Sequence, residues 1–191
     1  MALHVTLEGG QVRLEPLEAR HEEALWEVAQ DERIWRWMRV RADESREAFH
    51  EWFEAMSTPG TFPFAVLVDG GPLGHTSYLN VREADRVLEI GNTWLAPHAW
   101  GTSANAEAKL LLLRHAFEDE GFLRVEFKTD ANNERSCAAL AALPAELEGV
   151  FRKHMLVRGG ERRDSAWYSV IDDDWPAVEA ALRERLARDP R

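Results

Sequence analysis

The residues with the most chemical content in this chain are gathered in one turn. Trp94-Leu95-Ala96-Pro97-His98-Ala99-Trp100-Gly101-Thr102-Ser103-Ala104-Asn105 ends a strand-like pattern and opens the clearest helical pattern of the sequence. Small side chains crowd the entry, so backbone N–H groups there are open to close approach by a ligand. Thr102 or Ser103 can serve as N-cap. The first-turn amides and the helix dipole then make an anion site suited to a pyrophosphate. The same residues also suit a helix start that binds nothing, and the turn by itself leaves both readings open. It is not a P-loop, because no Gly-Lys-Ser/Thr follows at the required spacing. Nor is it a dinucleotide fingerprint, because the second and third glycines are missing.

Other chemistries are narrowed by what surrounds the turn. His21-Glu22-Glu23-Ala24-Leu25 lacks the second histidine of a zincin helix, and the remaining histidines show no ligand spacing. Cys137 is the only cysteine, which excludes an internal disulfide and a multi-Cys zinc site. No metal is expected. The formal net charge of −11 argues against a general nucleic-acid binder, although Arg33 to Arg41 is locally basic. An acidic surface is compatible with a cationic amine substrate. The start has no basic region followed by an apolar one, and no apolar run approaches the roughly 20 residues of a membrane helix. No membrane association is expected, and the cytoplasm is the default location.

The elements that must position the turn read as one domain over 1–191, without repeat or linker. Val12 to Leu17 alternates as a strand, and helices are expected over residues 19 to 30, Glu32 to Met38 and Ser45 to Met56. Within Arg33-Ile34-Trp35-Arg36-Trp37-Met38-Arg39, Ile34, Trp37 and Met38 either pack while the arginines are solvated, or the segment forms a wall of a substrate cleft. Strands at Phe62 to Val68, Leu73 to Val81 and Val87 to Leu95 form an antiparallel meander, its first turn at Asp69-Gly70-Gly71. A helix over roughly 104 to 120 stops at Gly121. A strand at Leu123 to Thr129, a helix at Glu134 to Leu143, strands at Leu147 to Val157 and Ala166 to Ile171, and a helix over about 172–188 complete the chain. The order is α+β, a meander followed by a strand–helix–strand crossover.

Several segments resemble the RimJ/RimL-like branch of the GNAT N-acetyltransferase superfamily. They are Leu88-Glu89-Ile90-Gly91-Asn92-Thr93-Trp94-Leu95 with Trp100-Gly101-Thr102-Ser103-Ala104-Asn105-Ala106-Glu107-Ala108-Lys109, then Asp130-Ala131-Asn132-Asn133-Glu134-Arg135-Ser136, Glu148-Gly149-Val150-Phe151-Arg152 and Arg163-Asp164-Ser165-Ala166-Trp167-Tyr168-Ser169. Val12-Arg13-Leu14-Glu15-Pro16-Leu17 matches the usual first strand. They occur in family order and cover nearly the whole chain.

The resemblance implies a mostly antiparallel mixed sheet flanked by helices, with a strand pair splayed at the cofactor site. It implies transfer of acetyl from acetyl-CoA directly to a primary amine, either a protein N-terminus or a small amine. The pyrophosphate falls to backbone N–H groups of Trp100, Gly101, Thr102, Ser103, Ala104 and Asn105. Thr93, Trp94 and Leu95 take the thioester and pantetheine, and a fixed N–H there would act like an oxyanion hole. Glu89 is the leading general base, against the reading of a surface strand carboxylate; His75 on the adjacent strand is an alternative relay. Asn133 would contact the pantetheine arm and Ser136 the leaving thiolate, against the reading that both cap a helix.

The chain also departs from the family pattern. His98 replaces a basic or amide residue at the head of the turn, weakening one contact. Leu143-Pro144-Ala145 replaces Leu-Gly-Ala, and since proline disfavours positive φ the helix is expected to end differently. His154 and Met155 stand where some relatives place a carboxylate. Cys137 is read as packing. The final helix, with Trp175, Val178 and Leu182, either caps the core or joins a homodimer. The rival reading of the whole is a non-catalytic acyl-CoA sensor or interaction module.

Overall fold

The computed structural model describes residues 1–188. Its order is β1 (Leu7–Glu8), β2 (Val12–Pro16), a 3-10 turn (Ala19–His21), α1 (Glu22–Val28), α2 (Glu32–Trp35), α3 (Arg46–Met56), β3 (Phe62–Val68), β4 (Gly71–Arg82) and β5 (Val87–Leu95). Then come α4 (Ala104–Arg114), β6 (Arg124–Asp130), α5 (Glu134–Ala141), β7 (Glu146–Val157), β8 (Glu161–Ile171) and α6 (Trp175–Arg188).

The strands form one sheet in the order β1-β2-β3-β4-β5-β6-β8-β7. All neighbours are antiparallel except β5 and β6, which run parallel and are linked by the α4 crossover. The β3–β4 turn has Asp69 at φ 51° and Gly70 at φ 78°, the left-handed pair that a two-residue hairpin needs. β8 begins five residues earlier than its apolar pattern suggests, because Glu161–Ser165 is a polar stretch held by pairing to β7. It inserts between β6 and β7, so the chain order of the last strands is not their spatial order.

Each face of the sheet has its own core. On one side α4, α5 and α6 pack Leu112, Leu113, Leu140 and Trp175 against Leu88, Ile90 and Val125. α4 lies between sheet and α6, which is why Leu110 through Leu113 are all buried rather than one stripe. Its last turn widens over His115–Asp119, where the Glu120 amide donates to the His115 carbonyl, and Gly121 at φ 68° ends it. The buried Glu107 carboxylate accepts from the amides of Gly10, Gln11 and Val12, tying the N-terminal loop to this helix.

On the other side α1 to α3 enclose an aromatic cluster. Trp35, Phe49, Trp52 and Trp94 lie with ring centroids 5.2 to 6.3 Å apart. Ser45 caps α3, its hydroxyl accepting from the Ala48 amide at 3.0 Å. α2 stops at Trp35, three residues short of the expected end. Trp35 is driven into the core and its indole N–H donates to the Ala29 carbonyl at 2.7 Å, so the chain leaves the helix here. Of the residues expected to pack on one of the two readings, Ile34 is in this core and Met38 packs against it, while Trp37 and Met38 also line a cavity.

The loop after α5 corrects another expectation. Pro144 carries φ 26°, the left-handed sense a glycine would give, and the Ala145 amide closes onto the Leu140 carbonyl at 3.2 Å. The chain must reverse within the four residues 142–145 to start β7 in register with β8, and this forces the proline ring far from its preferred φ of about −65°.

Candidate active site

β5 positions most of the site. Its register with β6 is confined to Val87↔Arg124, Leu88↔Val125 and Glu89↔Glu126, and beyond Glu89 the two strands part. Two local features send β5 away. Asn92 takes φ 50° where the β4–β5 register shifts, so the strand bulges. Gly74 on β4 lets the Trp94 region come close, since a Cβ there would lie 2.1 Å from the Trp94 carbonyl oxygen. The bulge also changes which face residues present. Leu88 and Ile90 point to the α4 side, whereas after Asn92 it is Trp94 that joins the α1–α3 core.

The gap opens into a cavity of about 1300 Å³. Thr93, Trp94 and Leu95 line it along the diverging strand. Trp100, Gly101, Thr102 and Asn105 line it at the head of α4. Ser103 and Ala104 are buried behind that wall and do not reach it. Gly101 has φ 83° and open space where a side chain would stand, so the backbone here is bare toward the cavity. Of the two residues expected, Ser103 takes the N-cap position of α4, and the Thr102 hydroxyl before it donates to the Ala99 carbonyl at 2.8 Å and accepts from the Ala104 amide at 3.3 Å. His98 is exposed and stands outside the cavity.

Glu89 is buried, not a surface carboxylate. Strand alternation points it between β4 and β6, where Asn80 Nδ2 donates to it at 2.8 Å and Lys128 Nζ lies at 3.3 Å. The Lys128 ammonium also sits 4.9 Å from the Trp167 ring centroid. Asn133 caps α5, its side-chain oxygen accepting from the Ser136 amide at 3.2 Å, and both residues line the cavity. Capping and cavity placement thus coexist.

His75 is excluded as a relay. It is fully buried against Trp52, its Nδ1 donates to the Asn92 carbonyl at 2.9 Å, and it does not line the cavity. Burial pushes its pKa down to about 4, leaving a neutral structural ring. His154 meets the Ser165 hydroxyl at 3.1 Å, its pKa lowered by burial and by Lys128 and Arg163. Cys137 is half-buried against the core.

Three cavity residues escaped the sequence reading. Lys109 is buried on α4, with Nζ donating to Thr93 Oγ1 at 3.1 Å and lying 5.5 Å from the Phe127 ring centroid. Desolvation lowers its pKa to about 7. Arg135 stacks over the Trp100 ring at 3.4 Å and has no carboxylate partner among the described residues; burial, with Arg33 nearby, depresses its pKa. Arg163 is buried on β8. All three lie inside motifs quoted above, so the signal was present, but no role was assigned to them there. Among the described residues there is no cluster of His, Cys, Asp or Glu able to hold a metal ion, and no helix is long and apolar enough to cross a membrane.

A splayed parallel pair with a bare glycine turn at the helix head coincides with a sequence match: residues 11–145 fit the acetyltransferase (GNAT) domain family. The chain belongs to the GNAT family. A protein from T. thermophilus whose structure was assigned as an acetyltransferase is 40% identical, with 95% of this chain and 96% of that one covered at a TM-score of 0.89. A GCN5-related N-acetyltransferase from Brucella melitensis is 30% identical, with 95% and 85% covered, also at 0.89. Mycobacterium smegmatis RimJ, solved in complex with CoA-disulfide, shares the fold at 20% identity, with 95% of both chains covered and a TM-score of 0.82. No curated protein matches the chain by sequence. Fold and family together imply acetyl-CoA-dependent acetylation in general.

Proposed function

We propose that this GNAT protein, in the manner of its RimJ/RimL-like relatives, moves acetyl from acetyl-CoA directly to a primary amine, a protein N-terminus or a small amine. The observation that carries the proposal is the buried carboxylate of Glu89 at the point where β5 and β6 part, in the same cavity as the Gly101 turn and Ser136.

The residues present fit the cofactor. A bare glycine at φ 83° at a helix head, with the guanidinium of Arg135 nearby and without a carboxylate partner among the described residues, suits a pyrophosphate, and a cavity of about 1300 Å³ admits both an extended pantetheine arm and an acceptor. When bound, acetyl-CoA supplies an acyl group activated as a thioester. Trp100, Gly101, Thr102 and Asn105, the residues of the turn that line the cavity, would hold the phosphates. Backbone N–H groups of Thr93 to Leu95 polarise the acyl oxygen. Glu89 takes a proton from the acceptor ammonium, directly or through a water, so that the free amine attacks, while Asn80 and Lys128 fix the carboxylate's orientation. Asn133, capping α5, presents Ser136, whose hydroxyl donates to the departing thiolate.

The test is calorimetric titration of acetyl-CoA into wild type and Gly101→Glu, with thiol release measured across amines for wild type and Glu89→Gln. Micromolar binding lost in a still-folded Gly101→Glu, and turnover lost in Glu89→Gln with binding kept, are expected. Binding without thiol release from any amine would replace the enzyme with a cofactor sensor, and no binding by wild type would end the proposal.

A further inference from the structure

The cavity wall formed by the β7–β8 hairpin and the segment after α2 is basic. The hairpin is tied to that segment twice: the Arg158 amide donates to the Arg39 carbonyl at 2.9 Å, and Arg158 Nη1 donates to the Met38 carbonyl at 2.8 Å. This brings Arg39, Arg158 and Arg163 to one wall of the cavity.

Their partners do not balance. Arg158 is paired with Glu161 at 3.0 Å. Arg163 is only 7% exposed, its Nε has no hydrogen-bond partner among the described residues, and it forms no ion pair among them. The charges facing it are Asp130 and Glu89, which favour its cation, and Arg158 and Arg39, which oppose it. Both acids are already engaged: Glu89 with Asn80 and Lys128, and Asp130 with the Asn132 amide at 2.9 Å. Burial is the largest influence on Arg163 and lowers its pKa. A buried guanidinium without a partner is costly unless an anion arrives to complete its hydrogen bonds. Its planar fork fits a carboxylate or a phosphate bidentately.

We propose that Arg163, with Arg39 and Arg158, forms a subsite for an anionic group on the acceptor, so that the preferred substrates are amines that also carry a carboxylate or a phosphate. The proposal rests on the acetyl-transfer reading for the amine's role, and it assigns the acceptor a charge opposite to the one suggested by the chain's overall acidity. The amine would lie toward Glu89 and the anion toward Arg163, both of which line the cavity.

The test separates the subsite from the reaction. Protein saturated with coenzyme A, so that the cofactor's own phosphate positions are filled, is titrated with N-acetylglycine, inorganic phosphate and N-acetylethanolamine. The expected result is that at least one of the two anionic probes binds ten-fold or more tightly than the neutral one, the tighter naming the anionic group. That preference falls at least ten-fold in Arg163→Gln and in Arg39→Gln, the latter an exposed position whose change spares the core. In thiol-release assays KM for glycine or phosphoethanolamine lies ten-fold or more below that for ethanolamine, and Arg163→Gln closes the gap mainly through KM. Equal binding of neutral and anionic probes, or an anion preference unchanged in both variants, overturns the inference. Absence of thiol release with every amine would count against acetyl transfer, while the titrations would still decide the anion subsite.

Discussion

Replacing Lys109 by methionine should make the protein more stable. The ammonium is buried on α4, with one hydrogen bond to Thr93 and the Phe127 ring nearby. A fall in pKa from 10.5 to about 7 corresponds to about 5 kcal/mol of penalty on the charged form. The sign follows from proton counting. Below pH 7 the folded chain carries the buried charge and the full penalty. Between pH 7 and 10.5 the unfolded chain keeps the proton that the folded chain has lost, so stability rises with pH across that window. Methionine matches the stem and removes the charge, giving up the Thr93 bond; Thr93 keeps its contact with Thr76 at 2.8 Å. After about 1–2 kcal/mol is subtracted for the lost hydrogen bond and ring contact, the net gain at pH 7 is about 3 kcal/mol. For a chain of this size that raises Tm by about 6–12 °C. Urea unfolding of both proteins at pH 6, 7 and 9 measures it, and the difference between them should shrink toward pH 9. A variant no more stable than wild type at pH 7, or a difference that does not change with pH, would refute the reasoning.

Acid should act through His75: with a folded pKa of about 4 against about 6.5 unfolded, stability falls by about 3 kcal/mol as pH drops from 6.5 to 4. His75→Asn should lose that part of the slope in denaturant titrations. Gly74→Ala places a methyl 2.1 Å from the Trp94 carbonyl, and should cost about 3 kcal/mol in chemical unfolding and weaken acetyl-CoA binding by moving β5. Pro144→Gly relieves a ring held at φ 26° and should gain about 1 kcal/mol, read as a higher thermal midpoint, since the removed strain exceeds the added chain freedom.

Much of the architecture was legible because local pattern and final environment agree. Phe62–Val68 and Val87–Leu95 read correctly because their ends are marked by turn residues that the hairpin requires. The Gly101 turn was legible for the same reason. Where the structure departs, a distant contact decided the outcome. α2 ends early because Trp35 finds a partner at Ala29, and β8 gains a polar first half because β7 is there to pair with it. The charged residues of the cavity were the hardest to read. Lys109, Arg135 and Arg163 are of types usually solvated, and only the folding of three separate segments around one gap buries Lys109 and Arg163 and brings all three to the cavity.

Among the described residues, the strand ladder joins the sheet's two halves by the three residue pairs between β5 and β6, next to the Arg86 carbonyl that accepts from the Leu123 and Arg124 amides. Mechanically the sheet is therefore a hinge between β1–β5 and β6–β8–β7, with α4 as the leaf that spans it. Its fluctuations belong at that seam, where backbone groups of Ile90 to Leu95 that face the gap lack ladder partners on β6. Amides on the gap side of these residues should exchange with solvent well before those of β3 and β4, and slow by the largest factor when coenzyme A is added. The same opening that admits the ligand should then exchange as the softest line in the molecule, and filling it should join two cooperative units into one.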